Sequence, residues 1–418
     1  MRELITMKFT SASDKCKMGS SSIGILIPCQ FTSTESSVSS GTCSQQNLTP
    51  WDRKKCLSVK CKLPYNFCEA KSFSTMTKVS EGILLGIGNP LLDISIDGDE
   101  QLLNRYGLLS NNAVLATPEQ HQIFHDIVKN YKPTFIAGGA TQNSIRVAQW
   151  LLQVKNATTF LGAVGDDKFK DILEKNARGV GVNVQYQVIK GEKTGVCAAI
   201  IVGLDRSLIT ELGAAQKFSF DFLKKTEKWA LVEKAKFFYI GGFLLTVSPD
   251  SVLYVSQYCS SVKKTLVMNL HATFLCDIFA DQKLGLLQHI DILFGNGDEA
   301  QALAKAIGLK SVTIKDIAVE VASLPKVNSD RPRIVIFTQG KDPTYIATEG
   351  KVQEMPVDPI DPSLIKDTNG CGDAFVGGFL SQLVQGKPLS ECLRCGRYAA
   401  KVVIQHFGCT FDERPDFV

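Results

Sequence analysis

Asp373 closes a string whose residue types could move a phosphoryl group: Asp367-Thr368-Asn369-Gly370-Cys371-Gly372-Asp373, then Ala374-Phe375-Val376-Gly377-Gly378-Phe379. Two glycines bracket Cys371, and an apolar run of helical character follows the acid. Glycine lets the backbone turn tightly and approach a ligand with no Cβ in the way. Free N–H groups at a helix start converge on an anion. An acid at the same place can take a proton from an attacking hydroxyl. An anion hole beside a base is what phosphoryl transfer needs. The plainer reading is a capped helix whose Asp offsets the macrodipole; the length of the string favours the chemical one.

A second pattern, Asn296-Gly297-Asp298-Glu299, follows a buried run. It reads as a helix start in which Asn296 caps and Glu299 completes a capping box. Gly86-Ile87-Gly88 could begin a dinucleotide-binding fingerprint, but Leu91 stands where the third glycine belongs and Pro90 intervenes. A dinucleotide-dependent oxidoreductase is therefore set aside.

The elements that must position these residues alternate. Short apolar runs at 83–87, 158–162, 237–241, 266–269, 292–295 and 333–338 are separated mostly by helix-length stretches. Continuous apolar strands alternating with helices predict a parallel sheet covered on both faces. Thr117-Pro118-Glu119 opens a helix with Ile123, Phe124, Ile127 and Val128 on its apolar face. Ala137-Gly138-Gly139-Ala140 precedes another, through Ile145, Val147, Ala148 and Trp150. From about Val182 to Leu212 the chain reads as strands and turns, an extra β element of the kind that makes a lid.

Composition narrows the class. The chain has 418 residues with 44% apolar and 21% charged, enough for a sizeable core. The net charge of +4 is uneven: residues 1–75 hold ten Lys/Arg against five Asp/Glu, and the rest 36 against 37. The body thus has no electrostatic case for nucleic acid. No apolar run approaches the roughly 18 residues of a membrane span. Residues 1–75 are rich in Ser, Thr, Cys and Lys, without core periodicity, and are expected to be a disordered extension. They have a transit peptide's basic, Ser-rich character, but acids are present and Arg is scarce. The thirteen Cys show no paired zinc spacing; Cys392 and Cys395 read as buried thiols in a helix. A reduced intracellular protein is expected, cytoplasmic or also nuclear, and monomeric.

From Met76 onward the chain resembles the ribokinase family of carbohydrate and nucleoside kinases, and within it the adenosine kinases. The residues that carry the resemblance are Gly88-Asn89-Pro90-Leu91-Leu92-Asp93, Gly138-Gly139 with Thr141-Gln142-Asn143-Ser144, Arg206-Ser207-Leu208, Phe294-Gly295-Asn296, Phe337-Thr338-Gln339-Gly340 and the string ending in Asp373. The resemblance implies a three-layer α/β/α sandwich with a mainly parallel sheet and a small β-sheet lid, over residues 76–418. It implies phosphorylation of adenosine at its 5′-hydroxyl by ATP, with Mg²⁺. Asp373 would be the base and the N–H groups of Gly370, Cys371 and Gly372 the anion hole. Asp93 would take hydrogen bonds from the ribose 2′- and 3′-hydroxyls, with Gly138, Gly139 and Asn143 beside it. Asn89, Leu91, Leu208, Leu212 and Phe243 would hold the adenine. Arg206 would cross from the lid to the phosphates. Asn296 and Glu299 would order Mg²⁺ through water, and Thr338 and Gly340 would flank ATP. The chain departs from the family's usual residues at Cys371 (Ala), Ala140 (Ser), Ala113 (Gln) and Arg397 (His). The alternatives are a kinase for another nucleoside or sugar, and a silent nucleoside sensor.

Overall fold

The computed structural model describes residues 78–110, 113–203 and 205–417. The extension expected over 1–75 lies outside them. The strands are β1 Leu84–Ile87, β2 Leu91–Asp97, β3 Ala113–Leu115, β4 Thr134–Gly138, β5 Thr158–Gly165, β6 Asn183–Ile189, β7 Val196–Val202, β8 Asp205–Glu211, β9 Phe237–Gly241, β10 Thr265–Asn269, β11 Ile292–Asn296, β12 Ile334–Gln339, β13 Asp342–Thr348 and β14 Lys351–Met355. The longer helices are α1 Gln122–Asn130, α2 Ala140–Leu152, α3 Lys168–Gly179, α4 Thr226–Lys234, α5 Pro249–Ser261, α6 Gly297–Ala306, α7 Ile314–Ser323, α8 Cys371–Leu383 and α9 Leu389–Val403.

Two sheets form. The large one has the order β14-β13-β12-β11-β10-β9-β1-β5-β6. Its strands from β6 to β12 run parallel; β13 and β14 are antiparallel additions. Fully apolar runs make the central strands because both faces are covered. One face carries Leu85, Phe238, Met268 and Phe337 into a core with α5, α6 and α7. The other carries Leu84, Tyr239, Phe294 and Ile336 into a core with α2, α8 and α9. This is the three-layer sandwich that the alternation of strand and helix predicts.

The small sheet has the order β3-β8-β7-β2-β4. Its composition corrects the stretch expected to make the lid. Asn183–Ile189 is the edge strand of the large sheet, paired in parallel with β5. Three of the five lid strands come from earlier in the chain, β2, β3 and β4. These pairings join segments separated by helices, and local patterning carries no sign of a non-local partner. The alternation of side chains then divides the small sheet into two faces. Leu92, Ile94, Val196, Ala198 and Ile209 pack against Ile123, Phe124 and Ile127 of α1 and Leu173 of α3. Leu91, Asp93, Cys197, Leu208 and Thr210 point the other way. Val128, expected on the buried face of α1, is 40% exposed.

Candidate active site

The carboxyl ends of β1, β9, β10, β11 and β12 lie side by side in a parallel sheet, and crevices outside such ends are where ligands bind. Small residues bring the catalytic candidates there. A Cβ on Gly377 would sit 2.5 Å from Ser144 O, and one on Gly378 2.5 Å from Cys395 O, so α8 lies hard against both α2 and α9. Gly370, in the left-handed conformation at φ 76°, turns the chain into α8. Asp373, in the first turn, then meets α2: Asn143 Nδ2 donates to Asp373 Oδ2 at 3.1 Å. Among the described residues, nothing beyond its own neighbours and helix backbone lies within 4 Å of where a Gly372 Cβ would be, so no other element packs on that side of the helix start. The Cys371 N–H makes only a long bond, 3.4 Å, to Thr368 O.

Asp93 arrives from β2. A Cβ on Gly138 would lie 2.2 Å from the Asp93 carboxyl carbon, so only glycine leaves room for that group. Burial pushes Asp93 up to about 7, opposed by Arg206 and Arg146. Burial likewise pushes Asp373 up to about 7, with the Asn143 bond lowering it and the Asp93 charge raising it. The Asp93 charge is the smallest of these influences on Asp373, and burial dominates at both carboxylates. Burial also lifts the Cys371 thiol to about 12, with Asp373 adding to the rise.

Arg206 reaches across the cleft from β8. Its Nη1 pairs with Asp367, a buried carboxylate that also accepts from Gly408 N at 2.6 Å and Asn369 N at 2.9 Å. With its amide oxygen turned to the guanidinium, Asn369 accepts from Arg206 Nε at 3.0 Å and Nη2 at 3.3 Å. The lid is thereby tied to the loop before α8. Asn89 is buried with its Oδ1 unpartnered, and Leu91, Leu208 and Leu212 are half-buried. Phe243 is 37% exposed and stacks on His271, with ring centroids 5.3 Å apart and planes at 18°.

Asn296 and Glu299 form the expected capping box: Glu299 N donates to Asn296 Oδ1 at 2.8 Å and Asn296 N to Glu299 Oε2 at 2.9 Å. Asn296 Nδ2 takes the other carboxylate oxygen at 2.9 Å. Thr338 is the register partner of Asn296 on β12, and Gly340 turns the chain into β13 at φ 61°. The structure brings Asn143 against Asp373 and Arg206 against the loop before α8, and sets Asn296 beside Thr338; Cys392 and Cys395 are buried thiols of α9, as expected. A hollow of about 220 Å³ lined by Lys326, Arg331 and Arg333 lies by the amino-terminal ends of β11 and β12. Its cations are occupied by Asp291 and by backbone carbonyls, five of them on Arg333.

Four residues were not singled out from the sequence. Asp367 lay inside the quoted string without a role. Arg146 follows four buried polar residues of α2, Thr141 to Ser144, and that polar run on a buried helix was the available signal. Tyr239 looked like plain core; its hydroxyl lies 3.5 Å from Ser144 Oγ and 3.3 Å from His271 Nε2. His271 follows β10 with φ 65°, and nothing in its sequence neighbourhood marks it.

A parallel sheet with catalytic-type groups at its carboxyl ends, a helix start facing an acid, and a small sheet across the cleft describe a sugar- or nucleoside-kinase fold. Residues 102–416 match the pfkB family carbohydrate kinases, and the chain belongs to that family. It is 46% identical over 337 residues to adenosine kinase 2 of Arabidopsis thaliana, covering 81% of this chain and 98% of that one. The crystal structure of Anopheles gambiae adenosine kinase in complex with P1,P4-di(adenosine-5) tetraphosphate superposes with a TM-score of 0.76 at 42% identity, covering 81% of this chain and all of that one. Adenosine kinase from Schistosoma mansoni in complex with 2-fluoroadenosine gives 0.75 at 32% identity, covering 80% and 98%.

Proposed function

We propose that this chain is an adenosine kinase, transferring the γ-phosphoryl group of ATP to the 5′-hydroxyl of adenosine to give AMP and ADP. The observation that carries the reading is the contact between Asn143 and Asp373 at the mouth of α8, beside the open helix start. An ionised Asp373 takes the hydroxyl proton as the oxygen attacks phosphorus. The N–H groups of Gly370, Cys371 and Gly372 offset the charge on the transferring group, an anion replacing the long Thr368 contact. Asp93 accepts from the two ribose hydroxyls, with Gly138, Gly139 and Asn143 shaping that end of the cleft. Asn89, Leu91, Leu208, Leu212 and Phe243 hold the base. Arg206 exchanges Asp367 for phosphate oxygens when ATP enters, and Thr338 and Gly340 flank the nucleotide.

Mg²⁺ supplies charge neutralisation on the phosphates when bound. Both Glu299 oxygens are engaged by Asn296, so this pair suits a metal held through water rather than direct ligation. Among the described residues no three His, Cys, Asp or Glu converge as a metal site. No helix among the described residues is long and apolar enough to cross a membrane. Residues 76–418 are the catalytic body on this reading, and a chain beginning at Met76 should match the full chain in kcat/KM.

The test is a screen of nucleosides and sugars for phosphorylation with ATP and Mg²⁺. Adenosine should be the preferred acceptor. A sugar or a pyrimidine nucleoside turned over faster than adenosine would sink the assignment and leave only the family.

A further inference from the structure

Arg146 is 5% exposed and sits in α2 one turn after Asn143. Among the described residues no carboxylate lies within salt-bridge distance of it. Its Nη1 donates to Ala137 O at 2.7 Å and Cys409 O at 3.1 Å, and lies 3.5 Å from Asn143 Oδ1. The Phe411 ring covers the guanidinium at 5.5 Å, and Nε is buried without a partner. A buried guanidinium so placed is costly, and a packed helix would carry an apolar residue there more cheaply. Its surroundings show what it acts on. Asn143 has one acceptor oxygen and one donor NH₂ group. Nη1, whose two hydrogens go chiefly to Ala137 O and Cys409 O, lies 3.5 Å from Oδ1, so the amide turns its oxygen toward the guanidinium and its NH₂ group toward Asp373, where it is found at 3.1 Å. Through space, the guanidinium also acts on Asp93.

We propose that Arg146 is a positioning residue for the proton abstraction: it orients the Asn143 amide with its donor toward Asp373, and it supplies a permanent positive charge beside Asp93. The proposal rests on the phosphoryl-transfer reading above. Asp373 is faced by Asn143 of α2, Asp93 of β2, Tyr239 of β9, Cys371 of α8 and Cys409 of the C-terminal segment. Asp93 is faced by Cys197 of β7, Arg206 of β8 and Arg146. Burial raises the phenol and the thiols above their ordinary values, which leaves them neutral. The cations are therefore Arg206 and Arg146. Arg206 belongs to the lid and is engaged by Asp367, whereas Arg146 belongs to the body and stays in place whatever the lid does. Catalysis needs both carboxylates ionised, Asp373 to take the proton and Asp93 to accept from the ribose. A fixed cation favours that doubly charged state.

The experiment is the pH profile of kcat/KM for adenosine with ATP and Mg²⁺, in wild type, Arg146→Gln and Arg146→Lys. In Arg146→Gln the acid limb should move up by about one pH unit. Its deficit should be about tenfold at pH 6 and shrink toward pH 8.5. Arg146→Lys, which keeps the charge, should hold its limb nearer to wild type than Gln does. A loss of the same proportion at every pH, or a limb displaced equally by Lys and Gln, overturns the proposal and leaves Arg146 as packing. If Arg146→Gln does not fold, Arg146→Met takes its place against Arg146→Lys: a limb moved up by Met and less by Lys supports the proposal, and a limb left unmoved by Met, or moved equally by both, overturns it. A wild type that phosphorylates no nucleoside would instead sink the proposed function itself.

Discussion

Asn143 and Asp373 are 230 positions apart in the chain, yet Nδ2 of one lies 3.1 Å from Oδ2 of the other. The contact is the product of helix packing. α2 begins where β4 of the lid ends, and α8 begins at the left-handed Gly370. Gly377 removes the side chain that would hold the two helices apart. The base candidate and its hydrogen-bond donor are therefore fixed by the body, while Asp93 and Arg206 arrive on the lid.

Gly377→Ala should test that dependence. The added Cβ would meet Ser144 O at 2.5 Å and the Val147 Cβ at 2.7 Å, backbone and a β-branched stem that cannot swing away. Overpacking of this kind costs about 1–3 kcal/mol. Urea unfolding should show that loss, and kcat should fall as Asn143 draws away from Asp373. Gly372→Ala is the contrast: its Cβ meets nothing within 4 Å, so stability should change by less than about 0.5 kcal/mol. Equal destabilisation by the two would contradict the packing argument.

Asp373→Asn should lower kcat by about 10²–10⁴-fold while adenosine still binds. The same change should stabilise the ligand-free protein at pH 7.5. Burial raises the folded-state value of Asp373 to about 7, above that of an unfolded Asp. The folded state then binds the extra proton between roughly pH 4 and 7, and stability falls as pH rises through that window. Asparagine removes that dependence, and each kcal/mol relieved should raise Tm by about 2–4 °C. A variant that is inactive but no more stable at pH 7.5 than wild type would mean the carboxylate is better solvated than the structure implies.

Sequence reading found the sandwich because the strands of a doubly covered sheet are continuous apolar runs, visible at 237–241 or 292–295 without any partner in hand. It found the string ending in Asp373 because glycine, acid and helix signals adjoin there. The composition of the lid was not legible. β2 pairs with β4 and β7 across 40 to 100 residues, and the register that sets Asp93 opposite Cys197 leaves no mark in either strand. Arg146 and His271 were missed for a related reason: the Asp93 carboxylate near one and the Phe243 ring against the other are distant in the chain.

His271 and Phe243 should prove coupled in base binding. Burial pushes His271 down to about 3, so the ring that stacks on Phe243 is neutral at working pH. Its backbone is left-handed at φ 65°, and its Nδ1 is buried without a partner. Both features cost stability. Asn tolerates that backbone, so His271→Asn should leave the fold at least as stable while loosening the Phe243 ring. We expect KM for adenosine to rise about three- to tenfold with kcat little changed, and Phe243→Leu to behave alike. The double variant should fall short of the summed effects by at least about 0.5 kcal/mol. Additive effects on KM would show that the imidazole does not set the position of Phe243.

Asp93 should make this a ribonucleoside enzyme. Its carboxylate lies on the cleft face of the lid, in the space that Gly138 leaves by having no Cβ. One bond from each ribose hydroxyl suits its two oxygens, so 2′-deoxyadenosine loses one charge-assisted bond. Such bonds are worth about 1.5–3 kcal/mol, and kcat/KM for the deoxynucleoside should fall roughly 10- to 150-fold. Asp93→Ala should then harm adenosine more than deoxyadenosine, because only adenosine has both bonds to lose. Two enzymes and two substrates make a cycle whose coupling isolates the 2′-hydroxyl from the lid packing that the substitution also disturbs. If the ratio of the two substrates is the same in wild type and in Asp93→Ala, the 2′-hydroxyl is read elsewhere. The buried charge on Asp93 would then answer to Arg206 and Arg146 alone, as part of the tie between lid and body.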